Sequence, residues 1–266
     1  MTAPLDAASV LRGLRPHRIP SKLVCLDEIL STNDVCWERE RAGEPEGLTV
    51  TAESQTAGRG RFGRAWHSPR GLSLAVSVLL RPALPAERLP LLTAAAAVAA
   101  CEAAGPEARI RWPNDVVLKG RKVAGVIVEG RPSARSAPNA ESGAFVLGCG
   151  LNVNLRAADF PDDLRDTSTS LLIETGEAHD RGAVLRTFLD SLDARYDEAL
   201  SGDSALPSAW RELSALMGER VSIMEAAKEY RGEVADLDVL EGISVRLEGA
   251  VRRFRLEHVE RLRILK

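Results

Sequence analysis

Residues 55–66, Q-T-A-G-R-G-R-F-G-R-A-W, restrict the possible folds more than any other stretch of the chain. The alternating residues 48–52 (L-T-V-T-A) before them and the apolar residues 72–80 (L-S-L-A-V-S-V-L-L) after them predict two strands. Pro69 and Gly71 interrupt any helix between the two strands, because proline lacks a backbone N–H and glycine favours turns. The segment must therefore connect one strand directly to the next.

The glycines of this segment, Gly58, Gly60 and Gly63, spell G-x-G-x-x-G, the pattern of a dinucleotide-binding loop. Such a loop needs a helix behind it, because the helix N-terminus holds the pyrophosphate, and no helix is predicted here. A disordered arginine-glycine tether for RNA is also disfavoured, because such tethers repeat and this loop is single and short. Two interpretations remain, a surface hairpin with solvated arginines and a loop that closes over an anion; the arginines concerned are Arg59, Arg61 and Arg64.

A second group of polar residues favours the anion-binding interpretation. R-W-P-N-D (111–115) ends a predicted strand with Asn114 and Asp115, and Lys122 follows at the start of another. Each feature alone has an ordinary explanation, since Asn and Asp form turns and lysines lie on surfaces. Together with the arginines of the glycine-rich segment, they indicate several cations placed around a negative charge.

Composition limits the class of protein. The chain has 266 residues and a formal net charge of −3, which argues against generic nucleic-acid binding. Four widely spaced cysteines form no C-x-x-C pair and predict buried thiols in a reduced compartment; they are Cys25, Cys36, Cys101 and Cys149. No signal sequence is evident and no apolar run approaches about 18 residues. We therefore expect a cytoplasmic protein with no membrane partner.

The periodicity predicts an α+β catalytic part followed by short strands. S-T-N-D (31–34) predicts a helix start, with Ser31 as N-cap and Asp34 in the capping-box position, and an end near Gly43. Further helices are predicted at 87–104, 171–175, 182–200 and 207–216, and further strands at 22–26, 108–112, 116–118, 122–129 and 145–154. A loop is predicted at 131–143. Short strands at hairpin spacing from 221 to 265 predict a small β-barrel or sandwich.

Five ordered segments resemble the signature of biotin–protein ligases. They are S-T-N (31–33), residues 55–66, R-W-P-N-D (111–115), R-K-V-A-G-V-I-V-E (121–129) and G-C-G-L-N-V-N (148–154). The resemblance implies a mixed β-sheet with packed helices, similar to class II synthetases, and a small C-terminal SH3-like β-barrel. It divides the chain into a short N-terminal extension (1–20), a catalytic biotin- and ATP-binding domain (21–216) and the SH3-like domain (217–266). Because about 50 residues are needed for a small domain, we expect a monofunctional type without an N-terminal DNA-binding domain and hence no DNA partner.

The resemblance also implies the reaction. Such an enzyme joins biotin to ATP, with Mg²⁺ as activating ion, to form biotinyl-5′-AMP, and then transfers biotin to a lysine of a biotin carboxyl carrier protein. The resemblance implies no metal site built from the protein alone, and it leaves a homodimer possible. The glycine-rich segment would act as a lid, because a mixed anhydride must be kept from water.

The residues implied in this chemistry fall into three groups. The catalytic group consists of Lys122, Arg61, Asp115 and Asn114, with Lys122 between carboxylate and phosphate and Asp115 as base for the incoming lysine. The biotin contacts are Ser31, Thr32, Asn33, Gln55, Gly58, Arg59, Trp66, Lys122, Gly125, Gly148 and Gly150, where the last three glycines would let backbone approach the rings of biotin. The contacts to ATP and the adenylate are Arg59, Arg61, Arg64, Trp66, Asn114, Lys122 and Asn152.

Several alternatives stay open at this point. Ser31 could serve the helix as a cap rather than bind biotin. The adenine contact is unassigned, because R-D-T-S-T-S-L (165–171) lacks the aromatic residue that some family members have there. A lipoate or octanoate ligase or transferase of the same fold is the alternative enzyme, and a non-catalytic biotin or nucleotide sensor is the alternative outside enzymes.

Overall fold

The computed structural model describes residues 4–15, 18–131, 143–255 and 258–265. Most of the predicted loop at 131–143 lies outside the described residues. In chain order the elements are α1 (Ala7–Leu11), β1 (Lys22–Ile29), α2 (Thr32–Ala42), β2 (Leu48–Gln55), β3 (Ser73–Leu80), α3 (Pro90–Ala104), β4 (Arg109–Arg111), β5 (Asp115–Leu118), β6 (Arg121–Arg131), β7 (Ala144–Asn152), α4 (Leu171–Thr175), α5 (Arg181–Ser201), α6 (Ala205–Glu212), β8 (Arg220–Glu225), β9 (Lys228–Asp238), β10 (Gly242–Leu247), β11 (Ala250–Phe254) and β12 (Val259–Ile264).

The first seven strands form one mixed sheet in the order β1-β2-β3-β7-β6-β5-β4. β1 and β2 are parallel and the other neighbours are antiparallel. The tight turn predicted at Lys119 and Gly120 joins β5 to β6, with both residues at positive φ (47° and 79°), as a two-residue hairpin requires. The mixed sheet with packed helices confirms the predicted fold class.

The two faces of this sheet are covered differently. On one face, α3 packs against β6 and β7 and against α5. Residues 94–100 of α3 are alanine or valine and are buried, and such small side chains allow a helix to approach a sheet closely. On the other face, α2 packs against β2, β3 and β7. This α2 face carries the smaller apolar cluster and leaves the ends of β5, β6 and β7 for a site.

The C-terminal strands form a five-stranded antiparallel sheet in the order β11-β10-β9-β8-β12. Its five strands match those predicted, and the sheet is consistent with an SH3-like domain. Arg211 at the end of α6 donates to the backbone oxygen of Leu237 at 2.9 Å and pairs with Asp236 at 2.5 Å. α6 ends at Glu212, four residues before the predicted end, and Leu213 and Ala215 pair instead with the backbone of Ile110.

The N-terminal segment packs onto the mixed sheet. Val10 of α1 is buried. The backbone N–H of Leu5 donates to Glu53 Oε1 at 2.7 Å, and that of Ile19 donates to Asp193 Oδ1 at 2.7 Å. The described part of residues 1–20 thus shares the core of the predicted catalytic domain, and the two predicted domain boundaries stay predictions. Among the described helices, none is both long and apolar enough to cross a membrane.

Candidate active site

The glycine-rich segment folds as a short hairpin above the α2 face of the sheet. Trp66 N donates to Gly58 O at 2.8 Å, and Gly60 N donates to Arg64 O at 2.7 Å. The tip is a single 3₁₀ turn in which Phe62 and Gly63 have positive φ values of 58° and 70°. Phe62 is 70% exposed. The strand-to-strand connection predicted from Pro69 and Gly71 is confirmed, and backbone hydrogen bonds hold the base of the hairpin.

Two glycines form a slot for the indole of Trp66. Gly125 of β6 and Gly150 of β7 are cross-strand neighbours. A Cβ atom on Gly150 would lie 2.2 Å from Cε2 of Trp66, and one on Gly125 would lie 3.2 Å from Cζ3. The family resemblance implied that these glycines let the backbone approach the rings of biotin. In the structure they admit the ring of Trp66, and a contact with biotin stays a prediction.

A buried polar network lies where α2 begins. Gln55 Oε1 accepts hydrogen bonds from Thr32 N at 2.8 Å and from Thr32 Oγ1 at 3.1 Å. The hydroxyl of Ser77 on β3 lies 2.7 Å from Thr32 Oγ1 and 2.6 Å from Asn33 Oδ1. A Cβ atom on Gly148 would lie 2.5 Å from Asn33 Oδ1, so this glycine makes room for the amide. The predicted biotin-contact residues Thr32, Asn33 and Gln55 are therefore brought together.

Ser31 is the N-cap residue of α2, as predicted, but its side chain makes no capping hydrogen bond. The predicted capping box is wrong because Asp34, its second member, binds Arg59 instead. The Ser31 side chain is nevertheless buried beside the polar network. Its role as a biotin contact stays a prediction.

The position of Lys122 depends on an irregularity between β5 and β6. The pairing changes register between Val116 and Val117, so that Val123 has no opposite residue on β5. A bulge of this kind reverses the normal alternation of faces beyond it. Lys122 therefore lies on the same face as Gly125, where an added Cβ atom would be 3.0 Å from the lysine Nζ. Without the bulge, two residues three positions apart would point to opposite faces.

The predicted catalytic residues form one charged group at the edge of the Trp66 slot. Lys122 Nζ lies 2.6 Å from Asp115 Oδ1 and 5.3 Å from the centre of the Trp66 ring. Arg61 donates to Asn114 Oδ1 at 3.2 Å, and Asn114 Nδ2 donates to the Val126 backbone at 2.6 Å. The structure thus places all four predicted catalytic side chains beside one another.

Arg61 is a cation of this group whose charged form is disfavoured by burial. Burial lowers the pKa of Arg61, Asp115 partly opposes this shift, and Arg64 adds to it. A lowered pKa means that the guanidinium has lost hydration without an equal gain from anions. An incoming anion would therefore be stabilised here. Arg64 lies on the exposed side of the tip, near Arg61.

Arg59 has a different environment from the one predicted. Its guanidinium makes a bidentate pair with Asp34, at 2.8 and 2.7 Å, and donates to Glu129 Oε1 at 3.0 Å. Two carboxylates thus neutralise the charge of Arg59. Contacts of Arg59 with biotin or phosphate stay predictions, and they would require these ion pairs to change.

Asn152, predicted to contact ATP, is buried at the end of β7. Its Nδ2 donates to the backbone oxygen of Thr169 at 3.0 Å. The same segment pairs with the backbone of Lys122, since Lys122 N donates to Thr167 O and Thr169 N donates to Lys122 O, both at 2.8 Å. Asn152 thereby supports the strand that carries Lys122, and a contact with ATP stays a prediction.

Two buried hydrogen-bond donors at the site lack a partner among the described residues. Nε1 of Trp66 has no acceptor there, and Nδ2 of Asn33 points toward Glu129 without a hydrogen bond of ordinary geometry. Unpaired buried donors cost free energy, so they are rare in folded proteins and often mark a place where a ligand binds. The Trp66 donor lies over Gly150, and the side-chain amide of Asn33 lies over Gly148 through its Oδ1 atom.

Comparison with known proteins decides the family. The sequence profile of the Biotin/lipoate A/B protein ligase family matches residues 26–152. The bifunctional ligase/repressor BirA of Bacillus spizizenii is 33% identical over 239 residues, which cover 88% of this chain and 72% of the relative. The chain belongs to this family. The biotin–[acetyl-CoA-carboxylase] ligase of Mycobacterium tuberculosis is 30% identical over 218 residues, covering 78% of this chain and 77% of the relative.

The solved structures agree with family membership. A biotin protein ligase from Aquifex aeolicus in complex with biotin and ATP has a TM-score of 0.78 and 25% identity, covering 92% of this chain and all of that one. The resemblance predicted from the five segments, the mixed-sheet fold and the ligase class are therefore confirmed.

Three residues of the site were missed or misread in the sequence. Ser77 is fully buried and joins Thr32 to Asn33; its signal was a serine inside an otherwise apolar strand. Glu129 binds Arg59; its signal was an acidic residue that ends the apolar part of β6. Asp34 was assigned to a capping box, because the spacing of neighbouring residues does not reveal that Asp34 pairs with Arg59.

Proposed function

We propose that this protein is a biotin–protein ligase that activates biotin with ATP and transfers it to a lysine of a biotin carboxyl carrier protein. In the first step the biotin carboxylate attacks the α-phosphate of ATP, giving biotinyl-5′-AMP and pyrophosphate. In the second step the lysine amine attacks the acyl carbon, and AMP leaves. Relatives named biotin–[acetyl-CoA-carboxylase] ligase support the acceptor, and neighbours solved with biotin and ATP support the substrates.

The observation that carries the proposal is the position of Lys122 and Arg61 beside a slot with unpaired buried donors. Two anions must meet in the first step, and in a partly dry site their repulsion is large unless cations lie between them. Lys122 is a compact charge that can bridge the carboxylate and the phosphate, and Arg61 offers a planar fork to phosphate oxygens. The donors on Trp66 and Asn33 suit a neutral, polar ring system that accepts hydrogen bonds.

Asp115 is the proposed base of the second step. An acceptor lysine has an ordinary pKa of about 10.4 and must lose a proton before it attacks. Asp115 is bound to Lys122 at 2.6 Å. Once Lys122 turns toward the adenylate, the carboxylate of Asp115 is available to the acceptor amine.

Mg²⁺ enters this scheme with ATP, because Mg²⁺ prefers phosphate oxygens and retains much of its water. Asp115 is a carboxylate at the site that could contact such an ion directly or through water. Among the described residues there is no group of three or more His, Cys, Asp or Glu arranged to hold a metal. The homodimer, the cytoplasmic location and the lack of a DNA partner stay predictions.

Biotin-dependent exchange of labelled pyrophosphate into ATP tests the proposed function. We expect exchange with biotin and none above background with lipoate or octanoate, since the family includes lipoate ligases. Exchange with lipoate alone would assign the protein to that branch. Binding of biotin without any exchange would indicate a sensor instead of an enzyme.

Removal of the lid cation tests the retention of the intermediate. In Arg61→Gly we expect adenylate release to rise by about tenfold or more, because the variant loses a desolvated cation and gains freedom at the hairpin tip. The measurement is the dissociation rate of preformed adenylate, together with labelling of bystander lysines on an unrelated protein. Arg12→Gly, on the exposed surface after α1, is the control. Unchanged retention in Arg61→Gly would contradict the role of Arg61 in the lid.

A further inference from the structure

The guanidinium of Arg59 is almost fully occupied by protein carboxylates. A guanidinium has five N–H donors, and four hydrogen bonds join that of Arg59 to Asp34 and Glu129. A phosphate could receive the fork of Arg59 only if the bidentate pair with Asp34 broke first. The environment of Arg59 therefore differs from those of Arg61 and Arg64, although all three lie within a stretch of six residues.

The two carboxylates come from elements outside the hairpin. Asp34 lies in the first turn of α2, and Glu129 lies on β6. Trp37 of α2, which is buried, donates from Nε1 to Glu129 Oε2 at 2.8 Å. Glu129 is therefore held in place by the helix and the sheet before it receives Arg59.

The contacts with Arg59 affect the pKa values of both carboxyl groups, Asp34 and Glu129. Burial raises the pKa of Glu129, but the hydrogen bonds from Arg59 and Trp37, the nearby amide of Asn33 and the charge of Arg59 together outweigh that effect, and the net pKa is lowered. The hydrogen bond from Arg59 lowers the pKa of Asp34. Both carboxyl groups are thus ionised opposite the guanidinium.

The other strand of the hairpin is held separately. Trp66 fills the slot above Gly125 and Gly150, and its backbone N–H bonds to Gly58. Arg59 and Trp66 therefore fasten the two strands at the base of the hairpin. At the tip, Phe62 is exposed, and Arg61 is held by a longer hydrogen bond, at 3.2 Å to Asn114 Oδ1.

We propose that Asp34 and Glu129 form an anchor for Arg59 that keeps the base of the hairpin docked on α2 and β6, so that Arg59 positions the lid and does not bind phosphate. Lid motion is then confined to residues 60–64, which carry Arg61 and Arg64. The inference rests on the proposed function only where it concerns the adenylate. The docking of the hairpin is a property of the protein alone.

The anchor is tested by a double-mutant cycle with Arg59→Gln, Glu129→Gln and the double variant. From the usual strength of hydrogen bonds between charged groups, we expect the hairpin to open about tenfold more often in each single variant than in the native protein. An undocked two-stranded hairpin is only marginally stable, so amide hydrogen exchange of residues 57–66 should rise by the same factor without any ligand. The double variant should exchange no faster than Arg59→Gln alone, because Glu129→Gln has no further effect on docking once Arg59 is absent. Glu38→Gln, at an exposed position of α2, is the matched control and should exchange like the native protein.

Kinetics separate an anchor from a phosphate ligand. For an anchor, both single variants release the adenylate about tenfold faster while KM for ATP stays within about twofold. If Arg59 bound phosphate, Arg59→Gln alone would raise KM for ATP, Glu129→Gln would leave adenylate release unchanged, and the proposal would be overturned. Additive exchange rates in the double variant would also overturn it. If the native protein forms no adenylate, the proposed function fails, whereas the exchange experiment still decides whether the anchor exists.

Discussion

We expect Lys122→Ala to abolish adenylate formation while the protein remains folded. Lys122 is the cation that can lie between the carboxylate of biotin and the α-phosphate, and removal of one such group costs about 10²- to 10³-fold in comparable sites. The fold should survive, because the Lys122 side chain is partly exposed and its partner Asp115 keeps a second cation, Arg111, at 3.4 Å. The measurement is biotin-dependent pyrophosphate exchange, with circular dichroism and thermal unfolding as tests of the fold.

Two further variants make this result specific. Lys122→Arg should restore little activity, because a planar fork does not replace a compact charge that bridges two anions. Lys119→Asn removes a lysine from the adjacent turn, where it pairs with Glu174 at 3.5 Å, and asparagine tolerates its positive φ. This control should retain native exchange. Near-native exchange in Lys122→Ala would remove Lys122 from the site.

Gly150→Ala should have the second largest effect, because it displaces Trp66 from its slot. The new Cβ would lie 2.2 Å from Cε2 and 2.4 Å from Nε1 of the indole, which no side-chain adjustment within the slot relieves. We expect biotin affinity to fall by at least about tenfold and thermal stability to decrease by a few degrees, since overpacking costs about 1–3 kcal/mol. Isothermal titration with biotin and thermal unfolding measure the two effects.

A second substitution separates the steric cause from a general weakening of β7. In Gly150→Ala with Trp66→Ala, the clash is absent, so thermal stability should be higher than in Gly150→Ala alone while biotin binding stays weak. Gly125→Ala should be milder than Gly150→Ala, because its Cβ would lie 3.2 Å from the indole. Native biotin affinity in Gly150→Ala would show that the indole can leave the slot without consequence for the ligand.

Much of the fold could be predicted from local patterns. The helix 87–104 follows from its alanine-rich sequence and its end at Gly105, and the structure places α3 at Pro90–Ala104 with Gly105 as C-cap. The turn at Lys119–Gly120 follows from the residues themselves. Such features depend on neighbours in the chain, so a single sequence is sufficient to locate them. The predicted end of α6 was less accurate, because contacts of residues 213–215 with Ile110 determine where the helix ends.

The candidate site could be predicted as a set of residues, but not as a geometry. The structure brings together the four residues of the predicted catalytic group, Lys122, Arg61, Asp115 and Asn114. Arg59 was grouped with Arg61 because they share one segment, yet its partners lie 25 and 70 residues away. The chain has 38 acidic residues, and the local sequence around Arg59 does not indicate which of them it pairs with.

The sequence by itself determined that residues 55–66 connect two strands, because Pro69 and Gly71 permit no helix there, and its five ordered segments determined the family. The tertiary structure alone decided which way the key side chains point. The bulge opposite Val116 and Val117 turns Lys122 toward Trp66, and the folding of α2 over β6 brings Asp34 and Glu129 to Arg59. Backbone preferences act over a few residues and can be read along the chain, whereas the face of a strand and the partner of a charge depend on packing between distant segments.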